Sequence, residues 1–258
     1  MASFDITIEI FVILFLGGFA AGFVDSIAGG GGLISLPVLL SIGLPPQLAL
    51  GTNKLQGTFG TLSSSYNYIR SRKVNLNESV AGIVFTFIGA VMGAWLIQVM
   101  DPGFIKYIIP ILLMAVFVYT VISRDLGFKR RDALMPHRWF YLVFGLALGF
   151  YDGFFGPGTG SFWTAALMVL LGYDMTRAAG ATRIMNFTSN VVALSVFIIG
   201  HNVLYSAGIC MAMGQILGAR IGSSLAITKG ARFIRPIFLT VVFLTITRLG
   251  YVYYIKEL

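Results

Sequence analysis

Two cations stand where so apolar a chain would be expected to carry none. Lys54 lies in TNKLQ and Arg183 in ATRIMN, each near the start of a long apolar stretch. A charge near the middle of a bilayer costs at least about 2.5 kcal/mol on insertion scales, so such residues usually face the protein interior and serve a site. The bland alternative is a side chain that snorkels to the interface. Arg183 is about seven residues, nearly two turns, into its helix, which is far for that escape. Two glycine runs accompany the cations, GGGGL at Gly29–Leu33 and GPGTG at Gly156–Gly160. Glycine inside a helix costs about 1 kcal/mol per residue, and irregular backbone at membrane depth is tolerated only where protein or water surrounds it. Each run precedes a short apolar segment. The N-terminus of a helix there turns free N–H groups and the positive dipole end toward the protein's middle, which attracts an anion. Close helix packing or a surface loop is the competing explanation. Recurrence of the break at the matching place in both halves favours the site.

The expected substrate-binding set is therefore Gly30, Gly31, Gly32, Asn53 and Lys54 in the first half, with Gly158, Thr159, Gly160, Arg183 and Asn186 in the second. Asp25 and Asp152 end the opening helix of each half. Ordering of the breaks is their favoured role, since Asp suits turns and caps; pairing with the cations, or holding a coupling proton, is the other. Gln56 and Asn190 either complete the site or hold helices together. Arg220 and Arg248 are ambiguous, and His201 is a loop residue without metal-binding neighbours. No catalytic residue, metal site or cofactor is expected.

These residues sit in a chain that is 57% hydrophobic and 11% charged, with a mean hydropathy of +0.87. A soluble domain carries about 25% charged residues, so lipid must cover this surface. The 31 glycines suit close packing and deliberate breaks in membrane helices. The formal charge of +8 gathers largely in two short loops, so topology explains it better than nucleic acid does. Cys210 is the one cysteine, so the chain can form no internal disulfide. Asp5 and Glu9 precede the first apolar run without any Lys or Arg, unlike a cleavable signal.

The chain also repeats itself. GFVDSIAGGGGL from Gly22 resembles GFYDGFFGPGTG from Gly149, pairing Asp25 with Asp152 and Gly31 with Gly158 at an offset of 127. An offset of 129 pairs Gly43 with Gly172 and Lys54 with Arg183, and one of 125 pairs GAVMGA from Gly89 with GQILGA from Gly214. Apolar segments fall at 8–25, 33–44, 48–69, 79–100 and 104–123, with counterparts at 138–151, 161–171, 176–199, 203–227 and 233–253. The third to fifth of each half have spanning length, about 20 residues. The second of each half, and the first of the second half, are shorter, so each half is expected to open with a hairpin of incomplete helices. Arg70, Arg72 and Lys73, and the connector with Arg124, Lys129, Arg130, Arg131 and Arg138, read as cytoplasmic. Each loop exchanges its positive charge with its counterpart, the mark of an inverted repeat, a plan that places substrate at the midplane. The expected fold is an all-α polytopic membrane protein of two inverted-topology repeats, each a glycine-broken hairpin plus three transmembrane helices. They occupy residues 1–124 and 138–258, joined by a basic connector at 125–137, with both termini outside.

GFVDSIAGGGGLISLPVLLSIGLPPQLALGTNKLQGTFGTLSSSYNYIR and GFYDGFFGPGTGSFW resemble the sulfite exporter TauE/SafE family of membrane transporters (4-toluene sulfonate uptake permease-like), from about Gly17 to Pro236. DSIAGGGG and TNKLQ carry the specificity of the match. The resemblance implies transport of sulfite, a sulfonate or a related sulfur-containing anion across a bacterial or archaeal cytoplasmic (inner) membrane, and it alone supplies the sulfur and the outward direction. No GxxxxGK[ST] loop is present, so a proton gradient or the membrane potential is the expected drive. An anion channel of the same architecture is the alternative. An intramembrane aspartyl protease is disfavoured, because those enzymes use GxGD whereas Val24 and Tyr151 precede the aspartates here, and nearby cations would keep both carboxylates ionised. The expected partners are a small anion and membrane lipid, with no nucleic acid; the sequence leaves room for a homo-oligomer.

Overall fold

The computed structural model of the chain describes residues 7–101 and 132–229. The expected helices over 104–123 and 233–253, most of the basic connector and both chain ends lie outside the described residues. Every element among the described residues is helical: α1 (Ile8–Ala28), α2 (Gly32–Ser41), α3 (Pro46–Arg70), α4 (Leu76–Val99), α5 (His137–Phe140), a π-helical turn (Tyr141–Gly145), α6 (Leu146–Phe154), α7 (Thr159–Leu170), α8 (Met175–Ile199) and α9 (Tyr205–Lys229). Local chemistry sets the boundaries. Thr7, Asn75 and Asp174 cap α1, α4 and α8 through their side-chain oxygens, and Pro46 opens α3 at the position where its missing N–H costs nothing. Gly43 and Gly172 take positive φ of 90° and 67° just past α2 and α7, where a side chain would be strained.

Among the described residues, four helices are long and apolar enough to cross a membrane: α1 (over Ile8–Ile27), α4, α8 and α9. Two sequence expectations change here. The opening helix of the first half is complete at 21 residues, so the short helices at the breaks are α2 and α7. α3 has spanning length, 25 residues, yet is not among the four, because its run GTNKLQGTFGTLSSSYN is polar. Its polar side chains are buried: Thr52, Asn53, Gln56, Thr61, Ser64 and Ser65 all face protein. Exposed side chains of α1, α4 and α9 are instead large and apolar, such as Leu16, Phe87, Met92, Trp95 and Met213. The chain thus turns its oily side outward, as lipid requires.

The first half packs against the second by exchange. α1 lies along α9 and α6 along α4, so the opening helix of each half rests on a helix of the other. Glycines let the backbones touch. A Cβ on Gly22 would strike the carbonyl of Gln215, and one on Gly149 that of Thr86; Gly218 meets the Phe19 carbonyl as Gly89 meets that of Leu146. These contacts equate Gly89 with Gly218, an offset of 129, one helical turn from the 125 that sequence matching favours. Small residues recur every four positions through Gly214, Gly218 and Gly222, so a one-turn slip leaves the sequence match almost unchanged.

Gln98 ties α4 to the loop after α8. Its amide donates to the Val196 carbonyl at 2.8 Å, and its oxygen accepts from Asn202. Gln98→Leu removes the partner of the Asn202 amide and one of two hydrogen bonds to the Val196 carbonyl, which keeps the Gly200 N–H. We expect a loss of about 1–3 kcal/mol, read as a lower melting temperature in detergent; an unchanged melt would mean that water replaces both bonds.

Candidate functional site

The two glycine breaks meet at the centre of the described chain. A Cβ on Gly29 would collide with the backbone of Gly160 and Ser161, and one on Gly32 would lie 2.9 Å from the Pro157 Cα. Backbone therefore touches backbone across the halves, which only glycine permits. Gly29, Gly30, Gly156 and Gly158 all hold φ between 81° and 104°.

Asp25 and Asp152 lie just before the breaks, and each reaches the cation of the opposite half. Lys54 Nζ stands 2.7 Å from Asp152 Oδ1 and also donates to the Asp152 carbonyl. Arg183 Nη1 stands 2.8 Å from Asp25 Oδ2 and also donates to the Asp25 carbonyl. Each cation thus meets one carboxylate oxygen and the main-chain carbonyl of the same aspartate. Ser189 donates to the second Asp152 oxygen, and the Gly31 N–H donates to Asp25 Oδ1 at 3.1 Å. The aspartates so order the breaks and neutralise the cations together. All four charged side chains are nearly sealed, with side-chain exposures of 2%, 5%, 0% and 12% for Lys54, Asp152, Arg183 and Asp25. Two positive and two negative charges leave the group neutral, which lowers the cost of burying it.

Beside the pairs lies a polar cavity of about 30 Å³. One water needs roughly 10–15 Å³ on this measure, so the space suits a few atoms. Of the residues expected from sequence, Gly30, Gly32, Asn53, Lys54, Gly158, Gly160 and Asn186 line it, as do Asp25, Asp152, Gln56 and Asn190. The N–H groups of Gly30, Gly32, Gly158 and Gly160 carry no hydrogen bond among the described residues. Asn53 is held by Ser35 and Gln56, both donating to its Oδ1.

Three expected ligands are not in the wall. The Gly31 N–H is spent on Asp25, and Thr159 turns its hydroxyl back to the Gly156 carbonyl. Arg183 lies behind Gly160; a Cβ there would sit 2.7 Å from Arg183 Nη2 and 2.9 Å from Asn186 Nδ2. Nη2 is buried without a partner among the described residues, so Arg183 acts on the cavity through charge and through Asp25. Four wall residues were not in the expected set: Gly57, Thr61, Gly156 and Gln215. Gly156 admits Lys54, whose Nζ would lie 2.6 Å from a Cβ at that position. Gln215 is the one carboxamide of α9, and its one sequence signal is its place between Gly214 and Gly218, at the packing stripe.

Apolar outward faces around a sealed, charged, glycine-lined centre define a polytopic membrane protein whose polar groups are kept from lipid. Comparison with known proteins agrees and is more specific. The chain belongs to the sulfite exporter TauE/SafE family, whose profile matches residues 14–249. It is 43% identical over 247 residues to a probable membrane transporter protein of Haemophilus influenzae, covering 96% of this chain and 97% of that one. It is 41% identical to the probable membrane transporter protein YfcA of Escherichia coli, over 89% of this chain and 85% of that one. A probable membrane transporter protein of a Sinorhizobium species, ORF9, is 41% identical over 92% and 91%. The protein is a membrane transporter of this family.

Proposed function

We propose that the protein is a secondary transporter that exports a small sulfur-containing anion, sulfite or an organosulfonate, across the cytoplasmic membrane. The anion binds at the midplane between two inverted repeats. One observation carries the anion: four glycine N–H groups without hydrogen-bond partners among the described residues line the same small cavity as the Lys54 ammonium. Such donors hold an oxoanion as helix N-termini hold phosphate. The sulfur and the outward direction rest on the family. A negative interior favours anion export by about 2.3 kcal/mol per charge per 100 mV.

The neutral charge group sets a condition. A monoanion entering it leaves the cavity negative unless a proton accompanies it or an aspartate withdraws, so Asp25 and Asp152 are the candidates for coupling. The basic segments after Arg70 and before Arg138 support a cytoplasmic assignment of their face, and both termini lie outside on this topology.

The test is thermal stability of the purified protein against sulfite, sulfate, thiosulfate, taurine, sulfoacetate, acetate and chloride. A ligand at about 100 times its Kd adds about 2.7 kcal/mol. A sulfur oxoanion should stabilise the wild type but not Lys54→Ala or Arg183→Ala. Equal responses from all three proteins would remove the cations from the site.

A further inference from the structure

Beyond the cavity, the two halves close unequally. The offset of 129 that aligns Lys54 with Arg183 also aligns two cavity walls, Gly57 with Asn186 and Thr61 with Asn190. One and two turns further on, the chemistry diverges. α3 continues with Ser64, Ser65 and Tyr68, all buried, toward the end that carries Arg70. α8 continues with Ala193, Leu194 and Phe197 toward Gly200. The facing helices differ in the same sense. α9 presents buried Ser223 where α4, one offset earlier, presents buried Ala94. Neither the hydroxyl of Ser65 nor the carboxamide oxygen of Gln215 has a partner among the described residues, a costly arrangement in a seam that never meets water.

The closures differ too. Toward the Arg70 end, the seal is a small cluster of Ile27, Tyr68, Ala179 and Ala226. The Tyr68 hydroxyl donates to the Ser26 carbonyl at 3.1 Å. The positions equivalent to those four are Phe154, Phe197, Leu50 and Ile97, three of them larger and Phe197 differing from Tyr68 by the lost hydroxyl, and all are part of or packed against the main apolar core. One side is closed by a thin, partly polar seal, the other by a thick, apolar one.

We infer that the polar seam along α3, between α1 and α9, is the permeation route between the cavity and the Arg70 face, with Tyr68 as its gate. A hydrated anion can exchange its water for the hydroxyls of Ser64, Ser65 and Tyr68 on this path, whereas the equivalent positions Ala193, Leu194 and Phe197 offer it none. The inference rests on the cavity being the substrate site, as proposed above. The assignment of the Arg70 face as cytoplasmic makes the route the one by which an exported anion enters.

The test uses the full-length protein in membrane vesicles, with Cys210→Ser to remove the native thiol. Single cysteines at Ser64, Ser65, Ala193 and Leu194 are exposed to a membrane-impermeant, anionic methanethiosulfonate reagent from each face, and a cysteine at Arg72 identifies the Arg70 face. Modification at Ser64 and Ser65 from that face is expected to be faster than at Ala193 or Leu194 from either face by about tenfold or more, the margin a modest difference in local opening gives. Tyr68→Ala should accelerate it about tenfold further, and Tyr68→Phe, which keeps the ring, by much less. Resistant Ser64 and Ser65 cysteines, or equal labelling at Ala193, overturn the route. Failure of the anion proposal would look different: the labelling pattern would stand, and no sulfur oxoanion would protect the Ser64 cysteine.

Discussion

Lys54→Met is expected to cost about 3–5 kcal/mol of stability, the price of leaving Asp152 buried and unpaired. The ammonium sits 2.7 Å from a carboxylate that is itself 5% exposed, so little water can take its place. Anion-dependent stabilisation should vanish in the same protein, because the cavity loses the one cation among the described residues of its wall. Two comparisons separate these effects. Lys54→Met with Asp152→Asn removes both charges, and most of the stability should return while anion binding stays lost. Arg177→Ala breaks a pair with Glu78 that is 25% and 42% exposed and should cost at most about 1 kcal/mol. Melting temperature and denaturant midpoint in one detergent measure all three. If Lys54→Met is no worse than Arg177→Ala, the central pair is hydrated and the sealed site is wrong.

Gly29→Ala should prevent accumulation of folded protein. The methyl group meets two penalties at once: a positive φ of 81° and a collision with the backbone of Gly160 and Ser161. That φ with ψ of 159° is a conformation almost confined to glycine and costs about 1–3 kcal/mol for a residue with a side chain, and overpacking typically adds about 1–3. Neither partner can yield, since both are main chain. Gly43→Ala is the control, with positive φ but nothing within 4 Å of the added carbon; it should cost only the conformational part. Yields of monodisperse protein after size exclusion report the difference. Similar yields for both variants would mean that the breaks do not touch.

Residue type and period made much of this architecture legible. Apolar runs located the described helices to within a few residues. A charge inside such a run, or glycines interrupting it, is costly enough to mark an interior position, and Asp25, Lys54, Asp152 and Arg183 all stand at the cavity or directly behind its wall. Partnership was not legible. Lys54 lies closer in sequence to Asp25 than to Asp152, and nothing in the spacing says that α1 rests on the other half. Nor could sequence show that Arg183 sits behind Gly160, or that Gly31 has given its N–H to Asp25, because both depend on how two backbones meet. Gln215 escaped because one carboxamide in an apolar helix resembles any interhelical hydrogen bond. The register of α4 against α9 was hidden by the four-residue spacing of the small residues that set it.

The crossed pairing of charges has a consequence for assembly. Taken alone, the first half carries an aspartate and a lysine that do not reach each other, and the second carries an aspartate and an arginine in the same state. Neither half is electrically complete until the other is beside it in the bilayer. Translation delivers Asp25 and Lys54 to the membrane long before Arg183 has been synthesised, so the early chain must wait with its charges exposed to water or headgroups. The centre closes only after the last partner inserts, which makes its formation a late, cooperative event. A chain of one half could satisfy its charges only by meeting a second copy of itself, so the crossed pairs keep, inside one polypeptide, the interface of a two-subunit protein.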